Sequence, residues 1–269
     1  MYIVQMACRL FCAHPGKERS FEMKFTIQKA PVFERIAAAL LDFILLLIVT
    51  TGIMLAISAI TGYQKQADKL DAYANEYGVS LELKEEEYNK FTKEEKEIYD
   101  AKFEAFSTDE EVMRVYSIMS NLMILIPSLA IFFAYLLLEF IVPLILKNGQ
   151  TVGKKIMSLG VIRIDGVKAS PFILFVRTLI GKYTVETMIP LMLLVLNGIF
   201  GFMGIVVVAL MVILQIVLMI VTKYRTVIHD SFAQSVVVHL PTQLVFNNAK
   251  ELMDYKTRLA AEEAAKADY

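Results

Sequence analysis

Apolar residues in this chain are gathered into blocks too long for strands or ordinary buried helices. Ile36 to Ile60 is uncharged apart from Asp42, Val115 to Leu138 carries no charge and runs on past Glu139 to Leu146, and Thr187 to Thr222 is uncharged for 36 residues. A bilayer's hydrocarbon core of about 30 Å takes roughly 20 apolar residues as helix, because backbone amides cannot be left unpaired in lipid. The first two blocks therefore each predict one membrane-crossing helix, with Pro127 a kink in the second. As a single helix the third block would be about 54 Å long, more than a bilayer takes. "LNGIFGFMG" supplies a break at Asn197, Gly198, Gly201 and Gly204, so the block predicts two spans, Leu179 to Leu196 and Phe202 to Thr222.

The polar positions between the blocks have patterns of their own. In "LKEEEYNKFTKEEKEIYDAKFEAF", Tyr88, Phe91, Tyr99, Phe103 and Phe106 recur at helical spacing among Glu and Lys, which predicts amphipathic helix, paired as a hairpin with residues 64–77. Such a segment either docks a partner or is a solvated helix whose aromatic stripe packs on the spans; charge runs more often mark solvated faces. "VIRIDGVKAS" alternates around Asp165-Gly166 and predicts a small β-hairpin. The expected fold is an all-α membrane protein: four transmembrane helices at 36–60, 115–142, 179–196 and 202–222, a helical insert over 61–114, and a hairpin in the loop 147–178. Residues 1–34 and 241–269 flank the membrane domain, 35–240, as charged segments.

Composition and charge then orient this scheme. Hydrophobic residues make up 57% of the chain, above the roughly 45–50% of soluble domains, and mean hydropathy is +0.54. Basic residues accumulate on the cytoplasmic side of membrane proteins. Residues 1–35 hold six basic and three acidic side chains, and 147–182 hold seven basic and one acidic; both are expected inside. Residues 61–114 hold eight basic and fifteen acidic side chains, a net of −7, and are expected outside. Four spans then leave both termini in the cytoplasm, in agreement with Lys223 and Arg225 just after the last block. The start, "MYIVQMACRLFCAHPGKERSFE", has too short an apolar run for a span and no cleavage site at a secretory distance; Met23 is an expected alternative start of translation.

Candidate chemistry is confined to a few positions. Cys8, Cys12 and His14 lack a second ligand group at a spacing that closes a tetrahedral metal site. "NGQTVGKK" departs from a phosphate-binding loop: only three residues, not four, separate Gly149 from Gly153, and Lys155 stands where Ser or Thr would hold the metal. Its glycines are expected to turn the chain and its lysines to meet anionic headgroups. His229 and His239, like His14, have no nucleophile at an informative spacing, so neither enzymatic activity nor a cofactor is expected. Asn121 and Gln215 are expected to bond between helices. What stands out is Asp42, because an ionised carboxylate inside a span costs about 2.5–3.5 kcal/mol on insertion scales unless it is paired, protonated or hydrated. Arg35, Arg177 and Lys182 are its expected partners. Glu139 and Glu186 extend the polar cluster, with Lys182 and Glu186 placed to pair as i, i+4 neighbours, and Asp230 is expected to meet Arg35 or Arg177.

Arg35, Asp42, "GQTVGKKIMSLGVIRIDG", Arg177, and "VIHDSFAQSVVV" with Asp230 together resemble the RDD family, named for one arginine and two aspartates. The resemblance covers roughly residues 33–238 apart from the insert, which is longer than the family's usual connection. It implies a multi-pass membrane protein that takes part in transport; sodium/proton antiport is attributed to some members. Two readings of the cluster Arg35, Asp42, Glu139, Arg177 and Asp230 follow. In one, buried carboxylates bind a small cation or exchange protons. In the other, the charges lock the bundle together, in a protein that serves as a membrane accessory or scaffold. The expected partners are the lipid bilayer, a small cation or proton, and a second copy or another membrane protein, with no role for nucleic acid.

Overall fold

The computed structural model describes residues 27–196 and 202–267. The alternative start at Met23, the cluster of Cys8, Cys12 and His14, and the break at Asn197, Gly198 and Gly201 lie outside these residues. Helix α1, Val32–Thr61, begins after Pro31 and stops where Gly62 takes φ 67° and returns its N–H to the Ser58 carbonyl. It buries only Ala38 and turns Leu40, Ile48, Leu55 and Ile60 outward. Such a surface suits lipid, since a helix apolar all round has no aqueous face.

The insert is helical, as its periodicity predicts. Helix α2, Tyr63–Tyr77, follows directly across Gly62, then come α3, Glu85–Tyr88, and α4, Lys93–Thr108, which opens on a reciprocal Thr92/Glu95 capping box. Leu70, Ala74, Val79 and Phe106 pack with Val112 and Val115 of the next helix, and Tyr77, Tyr99 and Met119 close the cluster. The aromatic stripe thus packs within the insert, Tyr88 on Tyr99 and Tyr77 on Phe106, rather than facing outward as a whole.

Asp109 caps α5, Glu110–Tyr135, by accepting from Glu111 N and Val112 N at 2.8 and 3.0 Å. Pro127 sits inside α5 without ending it. The irregular segment comes later, as a π-helical stretch over Leu136–Ile141 before α6, Val142–Leu146. A turn with positive φ at Lys147, Asn148 and Gly149 reverses the chain into α7, Val152–Ile156.

Strand β1, Leu159–Arg163, pairs antiparallel with β2, Ser235–His239, from Leu159 opposite His239 to Arg163 opposite Ser235. This corrects the expected hairpin. The Asp165-Gly166 turn forms, with Gly166 at φ 92°, but only Ile162 and Lys168 bridge across it. The returning segment is diverted because Ser170 caps α8, Pro171–Phe175, with Pro171 at its first position. The valine-rich β2 supplies the ladder instead. Both faces of the sheet are covered: Leu159, Val161 and Val237 meet Ala30, Ala38 and Leu174, while Ile162, Val236 and Val238 meet Ile27 and Tyr224. Alternate residues serve opposite cores, which is why β1 is apolar at nearly every position.

From α8 the chain stays helical through a π-helical stretch, Val176–Met188, into α9, Ile189–Leu196. Then follow α10, Phe202–Val221, the short α11, Ile228–Phe232, and, after β2, α12, Ala249–Ala267. Leu252 and Tyr255 of α12 pack on Val167 and Phe246, anchoring the tail at the Asp165-Gly166 turn. Three helical segments among the described residues, Val32–Thr61, Glu110–Leu146 and Gly204–Val221, are long and apolar enough to cross a membrane. The expected third span, 179–196, is helical but opens with the polar π-helical stretch.

Candidate functional site

The charged residues meet where α1, α5 and the π-helical stretch 176–188 converge on α7 and α11. Asp230, in the first turn of α11, is 0% exposed. Its Oδ2 accepts from Arg35 Nη2 at 2.9 Å and its Oδ1 from Arg177 Nε at 2.9 Å. Arg35 also donates to the Arg225 carbonyl, and Arg225 donates from Nη1 to the Ala30 carbonyl at 2.9 Å. Burial alone would raise the Asp230 carboxyl, but Arg177 above all, and Arg35 as well, hold it well below the usual carboxylate range.

His229 continues the network. Its Nδ1 lies 2.9 Å from both Glu186 oxygens, and its Nε2 lies 3.0 Å from Arg177 Nη2. A guanidinium can only donate, so Nε2 accepts and Nδ1 carries the proton: the bonding pattern assigns a neutral imidazole. Burial, and then the Arg177 guanidinium, push His229 below the ordinary histidine value despite the carboxylates of Asp230 and Glu186. Glu186 also takes the His229 N–H at 2.9 Å and a hydrogen bond from Gln215 of α10. The close approach depends on Gly181, where an added Cβ would fall 2.6 Å from His229 Cβ.

Asp42 is held differently. None of the three cations expected beside it is its partner. Its carboxylate accepts from Thr151 Oγ1 and, at 2.7 Å, from Gly153 N at the start of α7. Lys154 Nζ is 3.8 Å away and lies 3.1 Å from Thr151 Oγ1. Thr151, Gly153 and Lys154 belong to "GQTVGKK", so this loop meets the carboxylate of the first helix. Lys154 is buried, not turned to headgroups. Burial pushes its ammonium down to about 7, with repulsion from Lys182 and Arg177 against attraction from Glu139 and Asp42. Gly153 is required by space: a Cβ there would sit 2.3 Å from the Ala38 carbonyl and 2.9 Å from Asp42 Oδ1.

Glu139, inside the π-helical stretch of the second helix, pairs with Lys182 at 2.6 Å. The expected Lys182–Glu186 pair is therefore replaced by two tertiary ones, Lys182–Glu139 and Glu186–His229. Thr178 Oγ1 donates to the Glu139 carbonyl at 2.8 Å, and Tyr135 Oη and Thr187 Oγ1 are 2.7 Å apart, so the two π-helical segments are joined to each other. Such i→i+5 stretches are rare in proteins and concentrate at functional sites.

Between these groups is a cavity of about 610 Å³, with Asp42, Glu139, Lys154, Lys182, Glu186 and Gln215 on its wall. The cluster expected from sequence is thus present in two parts. Arg35, Arg177 and Asp230 form one; Asp42 and Glu139 belong to the other, with cations from α7 and the π-helical stretch. Sequence reasoning missed Thr151 and Gly153 as the partners of Asp42. Thr151 did carry a signal, as a capping residue directly before a short helix.

Helices long and apolar enough to cross a bilayer, joined at one level by buried acids and bases, define a membrane protein with a polar core. The chain belongs to the RDD family, whose model matches residues 29–234. Comparison with curated proteins and with solved structures gives no match.

Proposed function

We propose that this protein moves a small ion or solute across the cell membrane through the charged cavity, with exchange of a cation for a proton as the sharpest form of the reading. The observation that carries it is the contrast between the two buried aspartates. Asp230 is saturated by two guanidiniums and fully enclosed, as a structural lock would be. Asp42, 11% exposed on a cavity wall, has no guanidinium, and its nearest ammonium stands at 3.8 Å. A carboxylate so placed can exchange partners; one clamped by two arginines cannot without breaking the fold. The lock reading therefore applies to the Arg35–Asp230–Arg177 part and the transport reading to the Asp42–Lys154–Glu139–Lys182 part.

In this proposal the chain crosses the membrane four times. The unbroken helical path over Pro171–Leu196 supports the third crossing, its polar residues being turned to the cavity and to α11. The insert 61–114 then lies outside and both termini inside, in keeping with the distribution of lysine and arginine.

The test is flux of sodium, potassium and protons in vesicles reconstituted with the protein. Asp42→Asn should abolish flux while the protein still inserts and runs as a homogeneous species. Undiminished flux in that variant, or no flux of any of the three ions in the wild type, defeats the ion-exchange form.

A further inference from the structure

The cavity has an apolar lip as well as a charged floor. Helix α1 packs along α5, and α10 packs along α9. The cavity lies between α1 of the first pair and α10 of the second. Ile36, Leu40 and Phe43 from α1 and Val212 from α10 line it while each remains half exposed. On helices clothed in lipid, half-exposed apolar side chains face acyl chains rather than water. The lip is thus an opening toward the bilayer, and what enters by it must be soluble there.

The floor limits the head that such a molecule can carry. Of the charged groups on the cavity wall, Arg35 and Arg177 are committed to Asp230 and Glu186 to His229, which leaves Asp42 and Glu139 beside Lys154 and Lys182, two acids among two bases. A lone cation uses only the carboxylates there, and a lone anion only the ammoniums. A head bearing one ammonium and one anionic group matches both signs, because complementarity of charge sets specificity at close range. It would divide the Lys182–Glu139 pair into two pairs with the ligand, Glu139 and Asp42 taking its ammonium and Lys182 and Lys154 its anionic oxygens. A volume of about 610 Å³ lies within the range of small-molecule sites.

We propose that the cavity admits, sideways from the bilayer, an amphiphile with a zwitterionic head, and that its source is a membrane phospholipid carrying a primary ammonium and a phosphate. This rests on the reading of the cavity as the solute site and names the class of solute.

The experiment measures binding to the purified protein in detergent of three probes: short-chain phosphatidylethanolamine, short-chain phosphatidylglycerol, and phosphoethanolamine, which is the head without the tails. Phosphatidylethanolamine should bind saturably, with the other two at least about tenfold weaker. Leu40→Trp and Val212→Trp, which fill the lip from opposite helices, should each weaken it about tenfold while preserving the thermal midpoint. Phosphatidylglycerol binding as tightly as phosphatidylethanolamine removes the zwitterionic head from the proposal. Phosphoethanolamine binding as tightly as the lipid removes entry from the bilayer. Should one lip variant fail to fold, the other and the comparison of probes on the wild type still decide. A wild type whose ion flux depends on Asp42 but which lacks this lipid preference overturns the amphiphile alone, whereas loss of that flux dependence bears on the transport reading.

Discussion

Arg35 and Asp230 lie 195 residues apart in the chain, and their side chains meet at 2.9 Å. The pair closes the far end of the membrane domain onto the start of its first helix. Around it the backbone is fastened as well, by the Lys29–Val238 bridge and by Arg225 on the Ala30 carbonyl. Arg177 enters from a third element, so one enclosed carboxylate joins α1, α11 and the helix after α8.

Asp230→Asn should lower stability by about 3–5 kcal/mol, since it leaves two guanidiniums buried without a counter-charge. Thermal midpoints from gel filtration of heated, detergent-solubilised samples would report it. A midpoint equal to the wild type would show that the lock does not hold the fold.

The Lys182–Glu139 pair should behave as a coupled unit. Lys182→Met alone strands a buried carboxylate and should be more damaging than the double change with Glu139→Gln. The double-mutant cycle is expected to give a coupling of about 0.5–3 kcal/mol. Additive single effects would mean that the two charges do not depend on each other.

Gly153→Ala and Gly181→Ala should each cost about 1–3 kcal/mol or more, because the added methyl meets atoms at 2.3 Å in the first case and 2.6 Å in the second. Gly52, with nothing within 4 Å of an added Cβ, is the control, and Gly52→Ala should leave the midpoint near that of the wild type.

After the earlier loss, complete once Lys154, held down to about 7, has taken up its proton, acidification should destabilise the protein in two further stages around Arg177. His229 is held below the ordinary value of about 6.5, so the unfolded chain gains a proton there that the folded chain resists, and stability falls as pH drops through that region. Asp230 is held below the ordinary value of about 3.9, so its contribution is present above that pH and is lost as pH falls further. His229→Asn should flatten the first stage and leave the second. An unchanged slope between about pH 7.5 and 5.5 would mean that the imidazole is not the group responsible.

The helices expected at 36–60, 115–142 and 202–222 were legible because length and apolar content are local properties that a bilayer translates directly into helix. The insert was legible for the same reason, its aromatic residues repeating at helical spacing. The partners of Asp42 were not. Reasoning by charge looked for Arg35, Arg177 or Lys182, whereas the carboxylate is held mainly by a hydroxyl and a backbone N–H, groups found throughout any sequence. The Asp165-Gly166 turn was read correctly as a turn and wrongly as a hairpin, because the competing strand Ser235–His239 lies some seventy residues later. The two π-helical stretches leave no periodic signature in the sequence; they follow from tertiary bonds such as Thr178 to the Glu139 carbonyl.

Tyr77 Oη donates to Asp109 Oδ2 at 2.9 Å, at the point where α2 ends and α5 begins. The insert thereby works as a splint between the end of α1 and the start of α5, which also pack along each other. Those two helices are thus braced into one unit. The opposite pair, α9 with α10, has no such splint among the described residues; its tie to α11 runs from Gln215 through Glu186 to His229.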